Sequence, residues 1–145
     1  MKNKYYHTKE SVDEYIKLAK DVDGRDLIKK LKQVLPPDKI ILEIGSGPGS
    51  DWNILNESYK VIGSDSSLYF IEHLKRVNPS GEFIVLDAIT LKTELRFEGI
   101  YSNKVRHHLS DSELAKSIER QAEVLHAEGI ICYSFWKGEG SEVFR

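Results

Sequence analysis

A chain of 145 residues with 21 Lys+Arg against 23 Asp+Glu, 40% hydrophobic and 30% charged, is one domain's worth of sequence, apolar enough for a single core. At that length a two-domain enzyme is not expected. A formal net charge of -2, with no basic block, provides no broad positive field for a run of phosphates, so nucleic acid is not expected as a partner. Cys132 is the single cysteine and sits in the apolar run Gly129 to Trp136, which suits a small buried thiol and leaves no disulfide within the chain. Met1 to His7 carry charge without a following apolar stretch, and no segment approaches the ~20 apolar residues of a membrane span, so the expected location is the cytoplasm.

Ser11 followed by Glu14 reads as a capping box, and Val12, Tyr15, Ile16 and Ala19 recur at helical spacing up to Asp23-Gly24. A second helix is predicted from about Asp26 to Leu35, with Leu27, Ile28, Leu31, Val34 and Leu35 on one face and lysines on the other, stopped by Pro36-Pro37. Five strands follow: Ile40 to Ile44, Lys60 to Gly63 ending at Asp65, Glu82 to Leu86 ending at Asp87, Gly99 to Tyr101 ending near Asn103, and Ile130 to Trp136. Helix-compatible segments lie between them at about 50–57, 67–77, a brief one near 91–95, and 111–125, the last opened by Ser110 and Glu113 as a capping box. Strand and helix alternating in this way predict an α/β fold, a Rossmann-like doubly wound and mainly parallel sheet with helices on both faces, in one domain over 1–145.

The chemistry concentrates in Glu43-Ile44-Gly45-Ser46-Gly47-Pro48-Gly49-Ser50, which follows the first strand and opens a helix, the place where an open α/β sheet binds its ligand. Glycines remove Cβ atoms, so the backbone turns sharply and approaches a ligand closely; the alternative is a tight turn and nothing more. No Lys or Arg stands between Ile40 and Tyr59, while Glu43, Asp51 and Glu57 supply carboxylates, a poor setting for a pyrophosphate and a better one for a cationic or zwitterionic ligand. No Gly-Lys-Ser/Thr follows, which excludes a P-loop, and Ser50 stands where the dinucleotide fingerprint needs glycine. Asp65 lies about 20 positions after Gly45, the spacing at which a carboxylate accepts hydrogen bonds from ribose hydroxyls. Asp87 closes the third strand, where it is either an acceptor for an exocyclic amine such as that of adenine or a capping residue of the local turn.

These residues resemble the class I S-adenosylmethionine-dependent methyltransferases, in particular small bacterial members that act on metabolites. The resemblance covers about residues 11–136, through Glu43-x-Gly45-x-Gly47-x-Gly49, Asp65, Leu86-Asp87-Ala88, and Tyr101-Ser102-Asn103 running on to His107-His108-Leu109. It implies that Gly45, Ser46 and Gly47 line the methionine part of S-adenosylmethionine and that Glu43 helps to hold its amino group. Asp65 would take the ribose hydroxyls with Ser66 beside the adenosine, Asp87 and Ala88 would flank the adenine, and the backbone at Ser102 and Asn103 would meet the methionine amino group. The N-terminal helices at about 11–35, with Tyr15, look like the lid found over the cofactor in such enzymes.

A sulfonium methyl is already activated, so in-line attack needs positioning and exclusion of water, and no metal or covalent nucleophile. His107 or His108 would serve as general base where the acceptor must lose a proton; the alternative is that one of them turns toward the helix that starts at Ser110. Neighbouring histidines are poorly placed to chelate one ion, so no metal site is expected. Arg106 stands where the family usually has an aliphatic residue, and must snorkel or find a carboxylate. The family ordinarily adds two strands beyond the fifth, so the expectation is a sheet that lacks them and a fifth strand left as an edge, in a chain that is a piece of a longer protein, a natural truncation, or one that pairs residues 130–136 with a second copy in a homodimer. The implied function is methyl transfer from S-adenosylmethionine to a small-molecule acceptor, with S-adenosylhomocysteine as product. A cofactor-binding but catalytically impaired module is the alternative, and an NAD-dependent oxidoreductase, opposed by Ser50 and the acidic loop, is the third reading.

Overall fold

The computed structural model describes residues 24–103 and 109–134, together with the backbone of 141–144. Helix α1 (Arg25–Val34) buries Leu27, Ile28 and Leu31 along one side, the spacing that places an apolar stripe on a helix, and leaves Lys29, Lys30 and Lys32 exposed. Pro36 ends it through the residue before: Leu35 is extended at φ -120°, ψ 118°, as the proline ring requires of its neighbour. The expected lid therefore divides. Residues 25–34 form a helix packed on the sheet, and residues 11–23, Tyr15 included, lie outside the described residues.

Strands β1 (Ile40–Ile44), β2 (Lys60–Asp65), β3 (Glu82–Val85), β4 (Phe97–Asn103) and β5 (Leu125–Ser134) form a parallel sheet in the order β3-β2-β1-β4-β5. The chain order reverses at β1 and β4, so the carboxyl ends of these two strands flank the crevice where such sheets take ligands. Helices α2 (Ser50–Leu55) and α3 (Leu68–Val77) share the face covered by α1, and α4 (Asp111–Val124) lies toward the other. The period of two along β1 sorts its side chains between two cores. Ile41 packs with Leu31, Leu55, Ile71 and Cys132, while Leu42 and Ile44 pack with Leu91, Ile100, Val124 and Ile131. Glu43 shares the parity of Ile41 and so faces the α1–α3 side, a buried carboxyl where the pattern calls for an apolar residue.

Three expectations are corrected. A sixth strand, β6 (Ser141–Phe144), pairs antiparallel with β5 from Ile131↔Phe144 to Ser134↔Ser141, so β5 is not an edge strand and the surface expected to join two copies is occupied over 131–134. No helix forms near 91–95: the spacing of Leu91 and Leu95 imitates a helix, but Leu91 sits at φ 42°, fully buried, and Leu95 is exposed. The segment is held instead by Arg120 of α4, whose Nε donates to the carbonyls of Thr90 (3.3 Å) and Leu91 (3.1 Å) and whose Nη2 donates to that of Thr93 (3.1 Å). Finally, β5 starts at Leu125, directly after α4, because Leu125 pairs with Phe97 and Ile130 with Gly99, and residues 126–129 bulge opposite Glu98 with Glu128 at φ 67°. Phe135 and Trp136 lie outside the described residues.

Candidate active site

The loop between β1 and α2 turns through three glycines with positive φ, 73° at Gly45, 50° at Gly47 and 91° at Gly49. At Gly49 a Cβ would also come within 2.6 Å of Leu74 Cδ2, so both conformation and space demand glycine there. One turn bond, from Gly49 N to Ser46 O at 3.0 Å, closes the loop on itself, and two further bonds stitch it to β2. Ser46 N donates to Ser64 O at 2.7 Å, and Gly47 N donates to Asp65 Oδ2 at 3.0 Å. The other oxygen of Asp65 accepts from Ser67 N at 2.9 Å, and Ser67 in turn caps α3. One carboxylate thus ties the glycine loop, the end of β2 and the start of α3 together, with Ser66 half-buried between them.

Glu43 lies beneath this loop, only 2% exposed. Ser46 Oγ donates to its Oε1 at 2.7 Å and also accepts from Ser64 N at 3.1 Å, while Ser64 Oγ donates to the Glu43 carbonyl at 2.7 Å. Burial pushes the Glu43 carboxyl up to about 8, the Ser46 hydroxyl opposes that shift, and the Asp51 and Asp65 charges add to it. At neutral pH it is therefore chiefly a protonated acid, so the loop carries less negative charge than its sequence suggests, and a cation arriving there would draw the proton off.

Asp51, in the first turn of α2, is a hub that the sequence did not single out as a site residue. Its Oδ1 accepts from Gly24 N at 2.6 Å, and its Oδ2 accepts from Tyr101 Oη at 2.6 Å and Asn103 Nδ2 at 3.0 Å. Tyr101 and Asn103 share a face of β4, and Asn103 Oδ1 accepts from Ser134 Oγ on β5, so the side-chain amide of Asn103 is held at both ends. Burial, followed by the charge and hydrogen bond of Asp51, pushes the Tyr101 hydroxyl far above its ordinary range. The signal in the sequence was an acid two residues after a glycine turn; what makes it a hub comes from residues 27, 50 and 52 positions away.

Of the predicted cofactor residues, Glu43, Gly45, Ser46, Gly47, Asp65 and Ser66 are gathered in one loop and strand-end unit, and Ser102 and Asn103 end the neighbouring β4, with Ser102 opposite Ile44. Asp87 is exposed at the end of β3, where its Oδ1 accepts from Ile89 N (2.7 Å) and Thr90 N (3.1 Å), the local-turn role. Ala88 is half-buried, its carbonyl accepting from Ser117 Oγ of α4. His107, His108 and Arg106 lie outside the described residues, and no group of His, Cys, Asp and Glu able to hold a metal occurs among those described.

An open, mainly parallel sheet with a glycine loop tied to a strand-end carboxylate defines a Rossmann-like α/β domain, and comparison with known proteins makes the class specific. Residues 41–129 match the family described as Methyltransferase domain, and the chain belongs to that family, within the class I S-adenosylmethionine-dependent methyltransferases. An uncharacterised methyltransferase of Oceanobacillus iheyensis is 31% identical over 99 residues, covering 64% of this chain and 45% of that protein. A TehB-like SAM-dependent methyltransferase from Corynebacterium glutamicum shares the fold at a TM-score of 0.71 and 23% identity, over 92% of this chain and 75% of its own. So does Haemonchus contortus phosphoethanolamine N-methyltransferase 1, solved with phosphoethanolamine and S-adenosylhomocysteine, at a TM-score of 0.70 and 20% identity, over 91% of this chain and 33% of its own. The chain spans less than half the length of the Oceanobacillus relative. No helix among the described residues is long and apolar enough to cross a membrane.

Proposed function

We propose that this chain binds S-adenosylmethionine across the carboxyl ends of β1, β2 and β4 and transfers its methyl group to a small-molecule acceptor. The observation that carries this reading is the 3.0 Å bond from Gly47 N to Asp65 Oδ2, which makes the glycine loop and the strand-end carboxylate one preformed unit. The residues present fit the cofactor. An acceptor-only carboxylate suits ribose hydroxyls, the positive-φ glycines leave room for a close backbone approach, and the stretch 40–59 holds no cation that a phosphate would need. When bound, S-adenosylmethionine supplies an activated methyl group. The chain's own residues then orient and shield. Asp65 holds the ribose beside Ser66, Gly45 to Gly47 admit the methionine chain, Glu43 takes up its positive charge, and the backbone at Ser102 and Asn103 stands against the amino group. His107 or His108 is the proposed base for an acceptor that must lose a proton, and Tyr15 is the proposed contact from the N-terminal segment. The buried free thiol of Cys132 accords with a reducing compartment, and we place the protein in the cytoplasm.

The test is calorimetric titration with S-adenosylmethionine, S-adenosylhomocysteine and NAD, followed by a turnover assay on a metabolite panel. Micromolar binding of the two sulfur nucleosides without NAD, together with release of S-adenosylhomocysteine in the presence of an acceptor, is the expected result. Binding without turnover on any acceptor would favour the cofactor-binding module, and NAD binding alone would overturn the reading.

A further inference from the structure

On the sheet face toward α4, the carboxyl ends of β1, β4 and β5 and the helix enclose a narrow crevice of about 10 Å3, room for one water-sized group. Gln121 projects into it from α4 and is only 5% exposed. Its orientation is fixed by a short chain of bonds. Ser117 Oγ donates its proton to the carbonyl of Ala88, which can only accept, so Ser117 receives the hydrogen bond of Gln121 Nε2 at 3.1 Å. The amide nitrogen is thereby committed, and the carbonyl oxygen Oε1 is left buried with no hydrogen-bond partner among the described residues. A buried acceptor without a donor costs stability, and a site that retains one is expected to meet its donor from outside the fold.

Two further features say what that donor is. The described residues lining the crevice carry no charged side chain, so none of them would pair with an ammonium group, whereas a neutral donor needs only the free acceptor. Leu114 and Ile118 flank Gln121, offering apolar contact to whatever carries the donor. The crevice also adjoins the cofactor site proposed above, because Ile44 immediately precedes Gly45 and Ser102 is its register partner on β4. We propose that this crevice is the part of the acceptor site that reads a neutral hydroxyl or N–H group, with Gln121 Oε1 accepting its hydrogen bond and selecting donor-bearing small molecules. The placement as acceptor site rests on the methyl-transfer reading.

Phenol, a small neutral O–H donor, and anisole, the same ring without the donor, test this on the full chain. The side-chain amide signal of Gln121 is followed by NMR and assigned by its loss in Gln121→Leu, and S-adenosylhomocysteine is titrated in parallel. Phenol is expected to shift the Gln121 signal with a dissociation constant on the order of millimolar, and anisole to bind at least about tenfold more weakly. Gln121→Leu should abolish that preference while S-adenosylhomocysteine affinity stays unchanged. Should that variant fail to fold, Ser117→Ala leaves the carbonyl in place but removes the hydroxyl that orients it, and is expected to blunt the preference. Equal responses to phenol and anisole, or no response at Gln121, would mean an ordered water alone fills the crevice and would overturn the inference; with S-adenosylhomocysteine still binding, the methyl-transfer reading would stand. A phenol response without S-adenosylhomocysteine binding would keep the donor site and remove that reading.

Discussion

Truncating Asp51 to alanine leaves three donors facing one another without an acceptor: Gly24 N, Tyr101 Oη and Asn103 Nδ2. Hydrogen bonds to a charged acceptor contribute ~1.5 to 3 kcal/mol each, but the sum is smaller here. Asn103 is half-buried and recovers part of its loss from water, and removing a buried carboxylate also removes its desolvation cost. A net loss of about 3 to 4 kcal/mol follows, or a fall in Tm of roughly 10 °C for a chain of this size. Guanidinium denaturation followed by far-UV circular dichroism measures it. Tyr101→Phe deletes one donor and leaves Asp51 with two, so about 1 kcal/mol is expected, and the double variant should lose less than the two single losses combined, by about 1 kcal/mol. Gly24→Ala should destabilise through the same contact, since its Cβ would lie 2.6 Å from Asp51 Oδ2 and 2.8 Å from Asn103 Nδ2. A loss below about 0.5 kcal/mol in Asp51→Ala, or strict additivity with Tyr101→Phe, would refute the hub.

Three other predictions follow from the same geometry. Glu43 is raised from 4.5 to about 8 in the folded chain, so between those values the unfolded state is ionised while the folded one keeps its proton. Stability should therefore fall as pH rises across that window, by at most about 5 kcal/mol, and level off above it. Glu43→Gln should flatten the slope and be the more stable protein at pH 8.5, whereas parallel stability curves would contradict the burial argument. Asp65→Asn keeps the size of a side chain that accepts from Gly47 N and Ser67 N but removes its charge; S-adenosylmethionine affinity should drop by ~1 to 3 kcal/mol on calorimetry, and an unchanged affinity would misplace the ribose. Arg120→Ala should cost about 1 to 2 kcal/mol and speed hydrogen exchange over residues 90–96, because the guanidinium holds Thr90, Leu91 and Thr93 to α4 while Ser117 holds only Ala88.

The sheet was legible because its signals are local. Ile40 to Ile44 is a short apolar run closed by glycine, and Ser110 with Glu113 forms the expected capping box at the start of α4. Where local signals and tertiary contacts disagree, the sequence misleads. Leu91 and Leu95 have helical spacing, yet the fold uses them differently, burying Leu91 at a positive φ and exposing Leu95, because Arg120 already satisfies the carbonyls that a helix would have paired internally. The polar stretch after the fifth strand gave no strand signal either: Ser141–Phe144 is four residues long and depends on β5 for its pairing.

The site shows the same division more sharply. Composition counts Glu43, Asp51 and Glu57 as equal negative charges beside a glycine loop, but they are not equal in the fold. Glu57 is exposed, Glu43 is buried deeply enough to keep its proton near neutral pH, and Asp51 spends its oxygens on Gly24, Tyr101 and Asn103. The acid that spacing did identify, Asp65, has a second task that spacing could not show, since its hydrogen bond to Gly47 N fixes the loop it was expected only to face. A motif names the residue types the chemistry needs, and burial and distant partners decide which of them still carry a charge to offer. It follows that swapping Asp51 and Glu43 for their amides would leave the motif's spacing intact and still yield two different proteins, one destabilised because an amide nitrogen would face the donors of Gly24, Tyr101 and Asn103, and the other stabilised only where Glu43 would otherwise be forced to ionise.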